Sequence, residues 1–171
     1  MGWNVQFVIM LLRQSRWETN RHAKRGRRMQ NSIRDANQTP QLDKAARILV
    51  VDDEPNILEY LRNIFQQPLY KTTVAPNGIV AQELAAQEGF DLAFVDFYFA
   101  DVSGVVGMNG IEISRKLHEL QPNLKIVLMS GFLNEERTAM VQEAGACAFL
   151  MKPFFIEAAQ TLADRLLNNK K

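Results

Sequence analysis

The chain has 171 residues, 47% of them hydrophobic and 23% charged, a balance that suits one domain with its own core plus a further segment and excludes a wholly disordered chain. Its single cysteine, Cys147, excludes an internal disulfide framework and a multi-cysteine metal site, and a reducing, cytoplasmic setting is expected. The formal net charge of +1 conceals a division: residues 1–46 carry nine Lys/Arg against three Asp/Glu, net +6, while residues 47–171 carry eleven against sixteen, net −5. In chain order, VQFVIMLL (5–12) comes first. It is too short for the ~20 residues of a transmembrane helix and lacks the basic leader and small-residue cleavage site of a secretory signal. RQSRWETNRHAKRGRR (13–28) follows, with seven basic residues and His22 against one Glu. Residues 1–46 are therefore read as a basic, disordered extension and linker, or residues 1–28 as upstream codons translated from too early a start, before Met29. The alternative is that residues 1–28 form an amphipathic arm for a membrane surface or nucleic acid, anchored by Trp3, Phe7 and Trp17.

From residue 47 the pattern becomes regular. RILVVDD (47–53) is a short, β-branched apolar run that suits a strand buried on both faces. EPNILEYLRNIFQQ then places Ile57, Leu58, Leu61, Ile64 and Phe65 at helical spacing, with Pro55 in the first turn, where its missing N–H costs nothing. YKTTVA (70–75) reads as a second strand and NGIVAQELAAQEG as a helix closed by Gly89. DLAFVD, IEISRKLHEL, LKIVLMS, NEERTAMVQEAG, ACAFLM and IEAAQTLADRLL continue the alternation. Five strand and helix pairs predict an α/β fold, a doubly wound five-stranded parallel sheet with right-handed crossovers. In such sheets ligands bind beyond the carboxyl ends of the strands.

Those ends deliver Asp52 and Asp53 from the first strand, Asp96 from the third, Ser130 from the fourth and Lys152 from the fifth. Singly, each has a plainer reading: Asp53 as a helix N-cap, Ser130 before Gly131 as a turn residue, Lys152 as a solvated lysine. Together, three convergent carboxylates would repel one another unless a cation joined them. Oxygen ligands and water suit Mg2+, whose shell is commonly completed by a phosphate oxygen. A lysine and a hydroxyl would hold the remaining phosphate oxygens, which places Asp96 as a nucleophile toward phosphorus. His118 reads as a surface residue and Cys147 as a small buried hydrophobe.

VVDDEPN, the VDF strand end, GMNGIE, LMSG and FLMKPF, in this order and spacing, resemble the response-regulator receiver domain of two-component signalling. The resemblance spans 47–168 and implies a flavodoxin-like (βα)5 sheet in strand order 2-1-3-4-5. It implies Asp52 and Asp53 as the acidic pair at Mg2+, Asp96 as phosphoacceptor and third metal carboxylate, and the backbone carbonyl of Tyr98 as a further metal ligand. Ser130 matches the switch hydroxyl, Phe149 the switch aromatic, Lys152 the phosphate-contacting lysine, and Lys152-Pro153 a bond held cis. The phosphodonor would be a sensor histidine kinase or a histidine phosphotransfer protein. The output would be an altered surface of the fourth helix, fifth strand and fifth helix, recognised by a partner protein or used in a phosphorelay. A stand-alone receiver that is not an enzyme is expected, with nucleic acid an unlikely ligand of the receiver and membrane contact left to residues 1–28.

Two rivals rank below this reading. A Mg-dependent phosphatase working through an aspartyl phosphate needs a second acid two residues after its nucleophile, where Tyr98 stands. A dinucleotide site needs GxGxxG after the first strand, and none is present. One departure from the receiver pattern remains. Asp96 to Gly110 spans fourteen positions where about eight are usual, and Ala100 replaces an expected proline. ADVSGVVG therefore reads as a loop on the rim of the site, either neutral lengthening or a selector of the docking partner.

Overall fold

The computed structural model describes residues 10–11, 45–99, 109–132, 140–141 and 143–168. Strand β1 (Met10–Leu11) precedes β2 (Ala46–Val51), α1 (Pro55–Ile64), β3 (Tyr70–Ala75), α2 (Gly78–Gln87), β4 (Leu92–Asp96), α3 (Gly110–Leu120), β5 (Lys125–Ser130), β6 (Ala148–Met151) and a carboxy-terminal helix, Ile156–Asn168. The sheet order is β1-β6-β5-β4-β2-β3. All pairings among β2 to β6 are parallel, so those five strands stand in the expected order 2-1-3-4-5. The helix expected over 134–145 falls largely outside the described residues. Met140, Val141 and Glu143, near its end, are helical.

The apolar runs become strands because both of their faces are covered. Leu49, Val51, Val95, Ile126, Leu128 and Phe149 belong to a buried cluster with Ala81, Ala85, Ile113 and Leu117 of α2 and α3. Ile48, Val50, Phe94, Val127 and Met129 belong to a second cluster with Leu61 of α1 and Leu162 of the carboxy-terminal helix. Alternate residues of each strand thus feed opposite cores, as the two-residue side-chain period requires.

Local chemistry fixes the helix starts. Pro55 opens α1, and Glu54, not Asp53, stands at its N-cap without a side-chain cap. The Asn77 side chain accepts from Val80 N–H. Asn109 and Glu112 form a reciprocal capping box at α3, satisfying two backbone donors. At the pole opposite the strand ends, the Gln121 amide donates to the carbonyls of Ala85 and Glu88 at 2.7 and 2.8 Å and accepts from Phe90 N–H at 2.8 Å. One side chain thereby ties the end of α2 to the end of α3. Gln67-Pro68 and Lys152-Pro153 are cis.

Antiparallel β1 is the one strand not anticipated. Met10 pairs with Phe149 and Leu11 with Ala148. Residues 1–9 and 12–44 of the basic extension, including the others expected to form its arm, lie outside the described residues, while Ala46, at its end, opens β2. Among the described residues no helix is long and apolar enough to cross a membrane.

Candidate functional site

The ends of β2, β4, β5 and β6 bring the predicted residues to one edge of the sheet. Asp52 follows β2 directly, Asp96 ends β4, Ser130 ends β5 and Lys152 follows β6. Neighbouring parallel strands in register carry Val51 beside Val95 and Asp96 beside Met129, so sequence-distant carboxylates become neighbours. One carboxylate oxygen each from Asp52, Asp53 and Asp96 lies within 4.8 Å of the others. Asp52 is completely buried and Asp96 nearly so, while Asp53 is partly exposed.

Lys152 enters this cluster. Its Nζ lies 2.7 Å from Asp52 Oδ2, 2.7 Å from Asp96 Oδ1 and 3.5 Å from Glu54 Oε1. Backbone donors orient the acids as well: Glu54 N–H donates to Asp52 Oδ1 and Tyr98 N–H to Asp96 Oδ2, each at 2.9 Å. Burial nevertheless wins. Loss of hydration raises the pKa of Asp52 against the opposing pull of Lys152. Asp96 is raised by burial too, again against Lys152, with the neighbouring Asp52 charge adding to the rise. Burial alone would lower Lys152, but its hydrogen bonds to Asp52 and Asp96 outweigh that and raise it.

The donor set fits a hard divalent cation. Three carboxylates against one ammonium leave two negative charges at the cluster, and all the available ligand atoms are oxygens. The sequence did not single out Glu54. The acidic run Asp52-Asp53-Glu54 was the available signal, since the third acid is carried toward Lys152 by the first turn of α1.

Ser130 is buried. Its hydroxyl donates to Phe132 O and accepts from Phe132 N–H, both at 3.3 Å, closing a turn at the strand end. Phe149 is also buried, within the cluster flanked by α2 and α3. Tyr98 and Phe132 are 52% and 56% exposed and follow Asp96 and Ser130 by two residues each. A groove of about 380 Å³ lined by Ala85 to Phe90 and Gln121 to Leu124 lies at the other pole, away from every residue of this cluster.

The insertion after Asp96 starts and ends at the site. Gly110 N–H donates to Phe97 O at 3.1 Å, so the chain returns to the end of β4 before α3 begins. A Cβ on Gly110 would overlap the Asp96 carbonyl oxygen and lie 2.8 Å from Phe97 Cα; only glycine allows this approach. Residues 100–108 lie outside the described set.

Comparison with known proteins agrees with this geometry. Residues 48–164 match the model of the response regulator receiver domain. The chain is 28% identical over 121 residues to sporulation initiation phosphotransferase F of Bacillus subtilis, covering 71% of this chain and 93% of that protein. It is 27% identical to the transcriptional regulatory protein ZraR of Klebsiella oxytoca, covering 72% of this chain but only 27% of that longer protein. Among solved structures, a CheY-like response regulator receiver domain protein from Methanospirillum hungatei superposes with a TM-score of 0.63 at 28% identity, over 71% of this chain and 94% of the other.

Proposed function

Because this chain belongs to the response regulator receiver domain family, a family of two-component signalling, we propose that Asp96 is its phosphoacceptor. The donor would be the phosphohistidine of a sensor kinase or of a histidine phosphotransfer protein. An Asp96 carboxylate oxygen forms the new P–O bond as the P–N bond breaks and its electron pair leaves on the imidazole nitrogen. The observation that carries this reading is the meeting of Asp52, Asp53 and Asp96 within 4.8 Å, with Lys152 Nζ 2.7 Å from Asp96.

Asp52, Asp53, Asp96 and the Tyr98 carbonyl would hold Mg2+, which when bound offsets the charge of the phosphoryl oxygens. Lys152 is already in contact with the acceptor and would pair with a second phosphoryl oxygen. Ser130 would leave the Phe132 turn to donate to a third. Phe149 is buried here, and phosphorylation would act by favouring the arrangement of β6 in which this ring packs inward, into the space that Ser130 vacates. The face around β6 and the carboxy-terminal helix is then the signalling surface. We read the chain as a switch rather than an enzyme that turns substrate over: no acid stands two residues after Asp96 to assist hydrolysis.

The test is titration of the full chain with beryllofluoride and Mg2+, followed by backbone NMR and repeated with Asp96→Asn. Shifts at Ser130, Phe149 and Lys152 are expected in the native chain and not in the variant. A native chain that shows none overturns the reading.

A further inference from the structure

In a five-stranded receiver sheet β6 is an edge, with one row of backbone groups paired to β5 and the other open. Here the open row meets β1. The direction of the pairing is legible from the bond at the end of the strand: Lys152 N–H donates to Ser130 O at 2.8 Å, toward β5 and in step with the Ser130 and Met151 register pair. Alternation then turns the N–H and C=O of Ala148 toward β5 and those of Phe149 to the outer edge. Phe149, the aromatic proposed to switch, is the residue opposite Met10, so Met10 and Phe149 form the hydrogen-bonded pair of this short ladder. Leu11 stands opposite Ala148.

We propose that the open edge of β6 is a strand-addition site whose occupant is the chain's own Met10–Leu11 segment, and that phosphorylation of Asp96 and occupancy of this edge strengthen each other. This rests on the reading of Asp96 above. The sign follows from what is seen together: β1 is paired with β6 while Phe149 is inside the core, and the inward position is the one phosphorylation would favour. Coupling of this kind is reciprocal by thermodynamic necessity.

Three features make the pairing adjustable. It involves two residues, so it is weak. The 34 residues between Leu11 and Ala46 reach about 110 Å when extended, whereas four strand spacings span about 19 Å. The tether therefore neither forces nor forbids docking and only raises the local concentration, to about the millimolar range. Finally, residues 13–28 carry a net +6, seven basic against one acidic, beside a receiver of net −5, which favours docking within the chain and makes it weaken with salt.

The sequence supplies its own probe. Both tryptophans, Trp3 and Trp17, flank β1 and the receiver has none. Tryptophan anisotropy of the full chain should rise on addition of Mg2+ and beryllofluoride. Met10→Pro, which removes the ladder N–H, should abolish the rise, speed exchange of the Phe149 amide by at least about threefold and weaken the apparent beryllofluoride affinity about two- to fivefold. Leu11→Pro, whose N–H faces away from β6, should behave as the native chain. Native anisotropy that stays flat while the Ser130 and Lys152 amides shift overturns the coupling and leaves the Asp96 reading intact. Amides that do not shift overturn both. A response that depends on protein concentration overturns docking within the chain in favour of exchange between copies.

Discussion

Lys152 Nζ lies 2.7 Å from Asp96 Oδ1, so the group proposed to receive phosphorus is already paired with a cation delivered from the neighbourhood of β6. Among the described residues the same ammonium is the one positive charge shared by two buried carboxylates. Replacing it, as in Lys152→Met, strands both of them. In metal-free buffer the variant should lose about 2 kcal/mol of stability, measured by urea denaturation. Added Mg2+ should restore more of the loss in the variant than it adds to the native chain, because the cation then faces all of the uncompensated charge.

Asp52 makes a complementary case. Burial raises its folded pKa above the usual 3.8, so between those two values the folded chain holds the extra proton. Stability contributed by this group therefore falls as pH rises through that window and stays reduced above it. Asp52→Asn removes the charge and keeps an acceptor for Glu54 N–H. In the presence of a chelator it should melt a few degrees higher than the native chain at pH 7, and the advantage should shrink as pH approaches 4. With Mg2+ present the order should reverse. An unchanged difference across pH would mean that Asp52 is not the strained acid.

Two glycines beside the site should respond oppositely to an added methyl group. Gly110→Ala forces a Cβ onto the Asp96 backbone and should cost about 3 kcal/mol or more, with loss of Mg2+ binding as β4 and α3 are pushed apart. Gly131→Ala meets nothing nearer than the Lys152 carbonyl oxygen at 4.0 Å and should change stability by less than about 0.5 kcal/mol. Calorimetry of the two variants checks both. Deleting residues 101–106 should be similarly mild, under about 1 kcal/mol, because loop length enters closure entropy only logarithmically.

Tyr98 and Phe132 stand half-exposed at the two strand ends beside Asp96 and Ser130, where a hydrolytic water would approach the phosphoryl group in line. Tyr98→Asn with Phe132→Asn should shorten the lifetime of phosphorylated Asp96 on the order of tenfold, equivalent to about 1.4 kcal/mol in the barrier. The decay of 32P-labelled protein measures it. A lifetime unchanged in the double variant removes these rings from the account of water exclusion.

The fold was legible because strands covered on both faces leave uninterrupted apolar runs, as in ILVV and LAFV, and each ends on a residue that carries charge or a hydroxyl. The meeting of Asp52 with Asp96 followed from that once strand order was assumed. Lys152 was placed at the right edge, but its equal approach to both acids depends on side-chain reach, which no spacing encodes. Gly110 stood in the sequence as part of a motif, and its steric role emerges only where α3 touches β4. β1 was illegible for a different reason: two residues carry too little pattern, and their pairing is chosen by an edge more than a hundred residues away.

Gln121 gives the molecule a fixed pole. Its one amide gathers the ends of α2 and α3 at the end of the sheet away from the acids. A fluorophore or surface attachment placed there, for instance at exposed Asn123, would ride on the end of the sheet opposite the acids and Lys152. Distances measured from such an anchor to the rim would then share one origin set away from the chemistry.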